Sequence, residues 1–449
     1  MNNKHIEWRK KKLEEIRQQI ESGQLNALRE LLPNDEIYRI CQECQYDFRT
    51  RLLTPLVTIF HVLSAAISRD ASFQSAWHLS GQHGQSGALS KARKRLPLEV
   101  WNELDEWIKN RIDDESSDHY LWRGHRMIGV DGTCVSMSDE VELTERFERC
   151  NTMHGYSRFP VARVGLAFNL KTLVAISHET GSYTTSENEL IRRSFGRFKS
   201  GDVLILDRRF AGANLYVEYQ RAGVDFICRA HQKLRIEKLK VIQRFGKNDI
   251  LVEMPLSPQY LKKDPTLLKF ILVRIIKTEI KTRGKKSVLW LVTSLVDPKQ
   301  YPAQEICEWY KKRWKVESLI EELKLWLGAD VLRSKSTEGI NKELQARIIA
   351  LNLIHWLILK AAKKHQRPIE HISVSAALRL ATAYSLKMST APGWQLPLLY
   401  NDLLLHIAHS VVPYRPDRIE PRMIKREPKD YSMLKISRDE WRTIYAAAA

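Results

Sequence analysis

Apolar residues recur with a helical period through the first part of the chain. The segment LTPLVTIFHVLSAAI, residues 53–67, spaces its apolar side chains at intervals of three and four, which is the pattern of a packed α-helix. Strand-like runs of β-branched residues bounded by turn residues are scarce in this region. The pattern predicts a helical region over residues 1–118.

Short apolar runs replace the helical period from about residue 126 onward. In chain order they are RMIGVDG, VARVGLAFNL, LVAISHET, a helical SENELIRRSFGRF, DVLILDRRF, a helical NLYVEYQRAG and DFICRA. This order predicts three strands, a helix, a fourth strand, a second helix and a fifth strand. Such an order favours an α/β fold with a mixed sheet and helices packed on it.

The remainder of the chain reads as a β-rich insertion followed by helices. Pieces such as KFILVRIIKTEI and SVLWLVTSL are strand-like, and one long amphipathic helix is predicted from about 302 to 327. Further helices follow to about 410, before a proline-broken basic tail. We therefore expect an N-terminal helical domain at 1–118, a core assembled from 119–230 and 300–365, a β-rich insertion at 231–299, and a C-terminal helical region with a basic tail at 366–449.

The chain is strongly basic, with 72 Lys and Arg against 53 Asp and Glu and a net charge of +19. A polyanion such as nucleic acid is the natural partner of such a protein, because neutralising phosphates releases condensed counterions. The segment SKARKRLPLEVWNEL, residues 90–104, suits either a helix lying on a phosphate backbone or a solvated surface helix. The N-terminal helical domain is accordingly expected to bind DNA.

Cysteine content and hydrophobicity indicate the cellular compartment of the protein. No apolar run reaches the eighteen or so residues of a membrane span, and the first residues are too charged for a secretory signal. Cys41 and Cys44 form a CxxC, but no second pair follows to complete a structural zinc site. We expect no membrane partner, reduced cysteines at a helix end, and a cytoplasmic location.

Two aspartates stand directly after predicted strands. Asp131 follows MIGV, and Asp207 follows VLIL. Open sheets bind ligands at the carboxyl ends of their strands, which would make both carboxylates part of one site. Each Asp taken alone also fits a turn or a helix cap.

The predicted helix at 302–327 adds a polar stripe. Tyr310, Arg313, Glu317 and Lys324 lie at offsets 0, 3, 7 and 14, which at about 100° per residue brings them within roughly 60° of one another. The alternative is a solvated helix edge on which Arg313 and Glu317 form an ordinary i, i+4 pair.

The set of Asp131-Gly-Thr, Asp207-Arg-Arg-Phe and Y-x2-R-x3-E-x6-K resembles bacterial insertion-sequence transposases of the DDE class that carry the YREK signature. The similarity extends over roughly 90–330, with LVTSL before the final helix and a related PRMIKREPKDY tail. It implies a ribonuclease-H-like mixed five-stranded core with a β-rich insertion, flanked by helical regions. It also implies cut-and-paste transposition at the inverted-repeat ends of an element, by hydrolysis and strand transfer on double-stranded DNA.

The same resemblance implies roles for individual residues. Asp131, Asp207 and Glu317 would hold two Mg2+ ions, or two Mn2+ ions, which suit hard oxygen ligands. The phosphate contacts would come from Tyr310, Arg313, Lys324 and Arg208, and Trp290 would either stack on a flipped base or be a core residue of its strand. Arg209 departs from the small residue more usual at that position. A homodimer is expected when two ends are synapsed.

Two other functions remain open from the sequence. One is a transposase-derived DNA-binding regulator without catalysis, and the other is a two-metal DNA nuclease that cuts without joining. The sequence contains no GxxxxGK[ST], GxGxxG after a strand, HExxH or GxSxG, so nucleotide-binding, zinc-protease and serine-hydrolase chemistries are not indicated.

Overall fold

The computed structural model describes residues 26–29, 31–48, 52–67, 87–115, 120–152, 155–282, 285–412, 436 and 438–448. The charged N-terminal start and most of the predicted basic tail lie outside these residues.

The strands, in chain order, are β1 Met127–Met137, β2 Arg149–Thr152, β3 Gly155–Asn169, β4 Ala175–Gly181, β5 Val203–Leu206, β6 Asp225–Arg229, β7 Lys240–Gly246, β8 Asp249–Pro255, β9 Phe270–Thr282, β10 Lys285–Thr293 and β11 Val331–Leu332.

The helices, in chain order, are α1 Asn26–Arg29, α2 Asn34–Glu43, α3 Pro55–Ile67, α4 Gly87–Arg95, α5 Leu98–Glu115, α6 Val141–Phe147, α7 Glu187–Arg193, α8 Ala213–Arg221, α9 Pro258–Lys263, α10 Ala303–Lys311, α11 Trp314–Leu325, α12 Thr337–Lys364, α13 Val374–Thr390, α14 Leu396–His409 and α15 Arg438–Ala448.

The chain divides into two compact units. The helical unit comprises Met1–Ser117 and Glu321–Tyr414, and the sheet unit comprises Asp118–Ile320 and Arg415–Ala449. In the helical unit α12 packs against α3, α5, α13 and α14. By length and composition α12 could cross a membrane, but 89% of its most apolar window is buried inside the protein. A helix that apolar and that enclosed has the character of a core helix.

The sheet unit contains the predicted mixed sheet. The strands follow the order β2-β3-β1-β5-β6-β10-β9-β8-β7, with β4 paired to β3. Antiparallel pairing joins β4, β3 and β1, whereas β1, β5 and β6 are parallel. The five predicted core strands are present, and α7 and α8 fall between them where the sequence predicts helices.

The β-rich insertion extends the same sheet. β10 pairs antiparallel with β6, and β9, β8 and β7 follow outward from β10. One buried apolar cluster runs from β1 and β5 through α8 to β8 and β9. The insertion therefore shares its core with the strands that carry the two aspartates.

The predicted long helix at 302–327 is wrong in one respect, because it is two helices, α10 and α11. The break lies at Lys312 and Arg313, where the N–H groups of Lys312, Arg313 and Val316 donate to carbonyls three residues back, each at 3.0 Å. Such tighter turns shift the angular position of everything that follows them. The stripe from Tyr310 to Lys324 is therefore not carried by one regular helix.

Two contacts fix the elements that carry the aspartates. The buried Arg126 guanidinium donates two hydrogen bonds to the Asp202 carboxylate, at 2.8 and 2.7 Å, and so joins the residues that precede β1 and β5. Gly129 in β1 lies beneath α11, since a Cβ there would meet the Leu170 side chain at 2.8 Å and the Val316 side chain more closely still. A side chain at 129 would push α11 away from β1.

We predict that Gly129→Ala lowers the free energy of unfolding by about 1–3 kcal/mol, because the added methyl overpacks the contact between α11 and β1. Urea denaturation measures this change. Gly196→Ala is the matched control, since a Cβ at 196 meets nothing within 4 Å, and its effect should stay within about 0.5 kcal/mol. Equal stabilities for the two variants would contradict the close approach.

Candidate functional site

Asp131 and Asp207 lie at the same level of two adjacent parallel strands. β1 and β5 pair Met127 with Val203 and Gly129 with Ile205, so the register continued by two residues sets Asp131 opposite Asp207. Neighbouring strands lie about 4.8 Å apart. The expectation that Asp131 follows a strand is wrong, because β1 continues through Asp131 to Met137 in its pairing with β3. Asp207 directly follows β5 as expected, so the two aspartates lie beside each other where β5 ends.

Local hydrogen bonds fix both carboxylates. The Gly132 N–H donates to Asp131 Oδ1 at 2.8 Å, and the Arg209 N–H donates to Asp207 Oδ1 at 2.7 Å. Asp207 thereby caps the short 3-10 turn Arg208–Phe210. Asp207 is thus a cap residue, as the sequence allowed. Capping uses Oδ1 only, so Oδ2 can still bind another partner.

Arg313 connects Asp131 to Glu317. Its guanidinium lies 2.9 Å from Glu317 Oε1 and 3.5 Å from Asp131 Oδ2. The i, i+4 pair expected of a solvated helix edge is present, but Arg313 is 8% exposed and also reaches a strand residue. The third predicted carboxylate therefore shares a partner with the first.

Burial and neighbouring charge shape the behaviour of Asp131. The pKa of its carboxyl group is raised to about 6, mainly by burial and to a smaller extent by the carboxylates of Asp207 and Glu187, while the Gly132 N–H and Arg313 oppose the rise. The positive charge of Arg313 thus only partly offsets the cost of confining this carboxylate. An additional cation at the same place would be strongly favoured.

Tyr310 and Lys324 complete the predicted stripe. Tyr310 is 4% exposed, and burial raises the pKa of its hydroxyl to about 12, against the influence of Arg313 and Arg229. The hydroxyl is therefore protonated at neutral pH and can donate. Lys324 lies on α11, in the part that belongs to the helical unit, and its predicted role stays a prediction.

Trp290 and Arg208, predicted separately as DNA contacts, line one cavity of about 320 Å3. Arg229, His231 and Gln232 line it as well, and Arg208 Nη1 donates to Gln232 Oε1 at 3.4 Å. Trp290 is half-buried: it packs on the apolar cluster, and Lys277 lies 5.5 Å from its ring centroid. The strand residue is thus both a core residue and part of a basic cavity.

Two residues beside the site were missed by sequence reasoning. Glu187 contacts Gly132, where a Cβ would meet its side chain at 2.8 Å, and it forms a 2.9 Å ion pair with Arg209. Trp314 is 53% exposed, and the Arg313 guanidinium lies 5.1 Å from its ring centroid. The available signals were a glutamate opening the helix after the third core strand and an aromatic residue next to the polar stripe.

The type and spacing of the carboxylate side chains determine whether this site could bind a metal ion. Within the described residues, no three His, Cys, Asp or Glu side chains converge closely enough to hold a metal ion. Carboxylate oxygens of Asp131, Asp207 and Glu317 are the hard donors that Mg2+ and Mn2+ prefer. The three side chains are therefore of the right chemical type to bind such an ion. In this structure the positive charge between Asp131 and Glu317 comes from the Arg313 guanidinium.

The CxxC pair lies in the helical unit. Cys41 is buried in α2 and Cys44 follows the helix end, and both are free thiols. Burial raises the pKa of the Cys41 thiol to about 12. A thiol with so high a pKa is protonated at neutral pH.

The chain matches one family model and is similar to other transposases. Residues 122–353 match the model of the transposase DDE domain. The chain is similar to the transposase InsG for insertion sequence element IS4 of Escherichia coli (strain K12), with 25% identity over 352 residues and 77% of each protein covered. A further similarity is to the piggyBac transposase in a synaptic complex with hairpin DNA, at 10% identity and a TM-score of 0.40, covering 88% of this chain and 87% of that one.

We predict that Asp131→Asn stabilises the metal-free protein above about pH 6. The folded-state pKa of about 6 lies above the ordinary 3.8, so the stability that this group contributes is present below pH 3.8 and is lost as the pH rises through 6. The gain in the variant should reach the order of 2 kcal/mol at pH 8. Urea denaturation in chelator at pH 4 and pH 8 measures it.

The matched control is Asp264→Asn, because hydrogen bonds from Thr266 and Arg221 lower the pKa of Asp264. That variant should lose stability at pH 8 relative to wild type. A pH-independent difference for Asp131→Asn would contradict the raised pKa.

Proposed function

The chain belongs to the transposase DDE domain family and is therefore an enzyme that transfers phosphoryl groups on DNA, and we propose that Asp131, Asp207 and Glu317 are its catalytic carboxylates. The supporting observation is that the parallel register of β1 and β5 sets Asp131 opposite Asp207, and that Arg313, directly before α11, contacts both Asp131 and Glu317. The strand order of antiparallel β4-β3-β1 and parallel β1-β5-β6 supports a ribonuclease-H-like core.

The carboxylates are proposed to hold two Mg2+ or Mn2+ ions. Such ions, when bound, supply activation of a water or a 3′ hydroxyl and stabilisation of the leaving oxygen. Asp131 and Asp207 each accept one backbone N–H on one oxygen, which fixes the carboxylate. The second oxygen of Asp131 lies 3.5 Å from Arg313, a contact that a bound ion would replace. Asp131 is more enclosed than Glu317, with a side chain 19% exposed against 45%.

Arg313 and Tyr310 are proposed to hold a backbone phosphate beside the scissile bond. A planar guanidinium binds a phosphate bidentately, and a protonated phenol donates one further hydrogen bond. Lys324 would add a point charge from the last turn of α11. These residues orient the DNA, and the carboxylates carry the chemistry.

The cavity beside Asp207 is proposed to receive an unpaired base at the cleaved end. Trp290 offers an aromatic face, and Arg208 and Arg229 supply charge for the adjoining phosphates. Its volume of about 320 Å3 lies at the lower end of the range for ligand pockets. This assigns Trp290 to stacking as well as to the core.

The substrates are proposed to be the inverted-repeat ends of an insertion sequence and a target duplex. The net charge of +19 supports a phosphate-rich partner. Holding two ends together calls for two copies of the chain, so we propose a homodimer in the synaptic state. A cytoplasmic location follows, because the substrate is chromosomal DNA.

We predict that Asp131→Ala, Asp207→Ala and Glu317→Ala each lower end cleavage by more than about 10³-fold, as removal of essential catalytic groups does. Binding to labelled inverted repeats should stay near wild type, because these residues do not carry the phosphate contacts. Gel assays of cleavage and of binding on the DNA that flanks the gene measure both.

Glu321→Ala is the matched control, since Glu321 is an exposed carboxylate one turn further along α11. It should cleave at the wild-type rate. A strand-transfer assay with a free 3′ hydroxyl should give joined product from wild type. Cleavage without joining would instead indicate a nuclease, and binding alone would indicate a regulator.

We predict that Trp290→Ala weakens binding of ends with an unpaired terminal base by about 5- to 100-fold, which corresponds to the loss of one stacked base. A 2-aminopurine placed at that base should be quenched in the wild-type complex and bright in the variant. Trp290→Phe keeps an aromatic face and the packing on the core, so it should retain most of the quenching. Equal quenching in wild type and Trp290→Ala would leave Trp290 as a core residue only.

A further inference from the structure

We propose that the ion pair between Arg209 and Glu187 is a positioning device that fixes the loops of Asp131 and Asp207 relative to each other. This proposal rests on the proposed function, since the ion pair would act through those two carboxylates. Neither Arg209 nor Glu187 belongs to the proposed set of catalytic and DNA-binding residues.

Glu187 lies directly against the loop of the first carboxylate. It opens α7, whose N-cap Ser186 accepts from the Glu189 N–H. Its side chain is 12% exposed and fills the space where Gly132 lacks a Cβ. Gly132 is the residue whose N–H fixes Asp131 Oδ1. A shift of Glu187 therefore acts on the backbone that orients Asp131.

Arg209 lies directly against the second carboxylate. Its backbone N–H donates to Asp207 Oδ1 at 2.7 Å, and its guanidinium reaches Glu187 Oε1 at 2.9 Å. One residue thus holds Asp207 through the main chain and Glu187 through the side chain. The contacts run without a gap from Asp131 through Gly132, Glu187 and Arg209 to Asp207.

The charges explain why Glu187 is paired with a cationic side chain. Glu187 is mostly enclosed and acts on Asp131 as a like charge, so without a partner it would repel the carboxylate that it packs beside. Arg209 offsets that charge while remaining 69% exposed. An ion pair so exposed on one side contributes little to global stability, so its main effect is on the position of the carboxylates.

The test measures Mn2+ affinity in DNA-free protein, by the electron paramagnetic resonance signal of free Mn2+. Wild type should bind, and Asp131→Ala should bind much more weakly. We expect Arg209→Ala to raise the Mn2+ Kd by about 10-fold, the lower range for residues that orient metal ligands. Its melting temperature should move by no more than about 2 °C. Arg209→Lys keeps the charge and should recover part of the affinity.

Arg192→Ala is the matched control. Arg192 lies on the surface of α7 and forms a 2.6 Å ion pair with Glu218 of α8. Within the described residues, that ion pair does not include Asp131, Gly132 or Asp207. Its Mn2+ Kd should equal that of wild type. An unchanged or tighter Kd in Arg209→Ala would overturn the positioning role. Wild-type protein that binds Mn2+ no better than Asp131→Ala would instead overturn the proposed metal site, and the positioning role with it.

Discussion

The arrangement of the sheet unit depends on two carboxylates that lie close together at the adjacent parallel strands β1 and β5. Asp131 lies within β1 and Asp207 directly follows β5, at corresponding positions of the register that the two strands share, and Glu187 and Glu317 approach them from two helices. Burial raises the pKa of the Asp131 carboxyl group to about 6, and the nearby carboxylates of Asp207 and Glu187 add to the rise. Arg313 opposes this rise, and Arg209 forms an ion pair with Glu187.

The close approach of α11 to β1 depends on long-range contacts that the local pattern of apolar and polar residues does not reveal. The two aspartates could be predicted because an acidic residue after a short apolar run is visible in sequence. Gly129 could not be recognised as the contact point beneath Val316, since nothing local distinguishes it from a strand glycine. The break at Lys312 and Arg313 was missed for a related reason, because the amphipathic period continues across it. Long-range packing differs on its two sides: α10 contacts β6 and β9, whereas α11 meets β1 at Gly129, and the tighter turns lie between these contacts.

Long-range pairing accounts for most of the remaining differences. The strands of 240–293 were predicted as an insertion, but their attachment to β6 through β10 is a register that no local pattern encodes. The Arg209 to Glu187 pair spans 22 residues and joins a turn to a helix start. From sequence, Arg209 was visible only as a departure from the family pattern. Its partner supplies the physical reason for it, because a small residue there could not offset the charge of Glu187.

Arg313 has a different relation to the carboxylates from that of Arg209. It contacts Asp131 and Glu317 directly, so a cation entering between them competes with its guanidinium for the same oxygens. A phosphate beside the site competes for the guanidinium itself. Under the proposed function, each ligand therefore lowers the cost of binding the other: the phosphate draws Arg313 from the carboxylates, and the cation replaces its charge. Thermodynamic linkage makes this effect reciprocal, so occupation of the site by metal depends on the presence of DNA through one buried side chain.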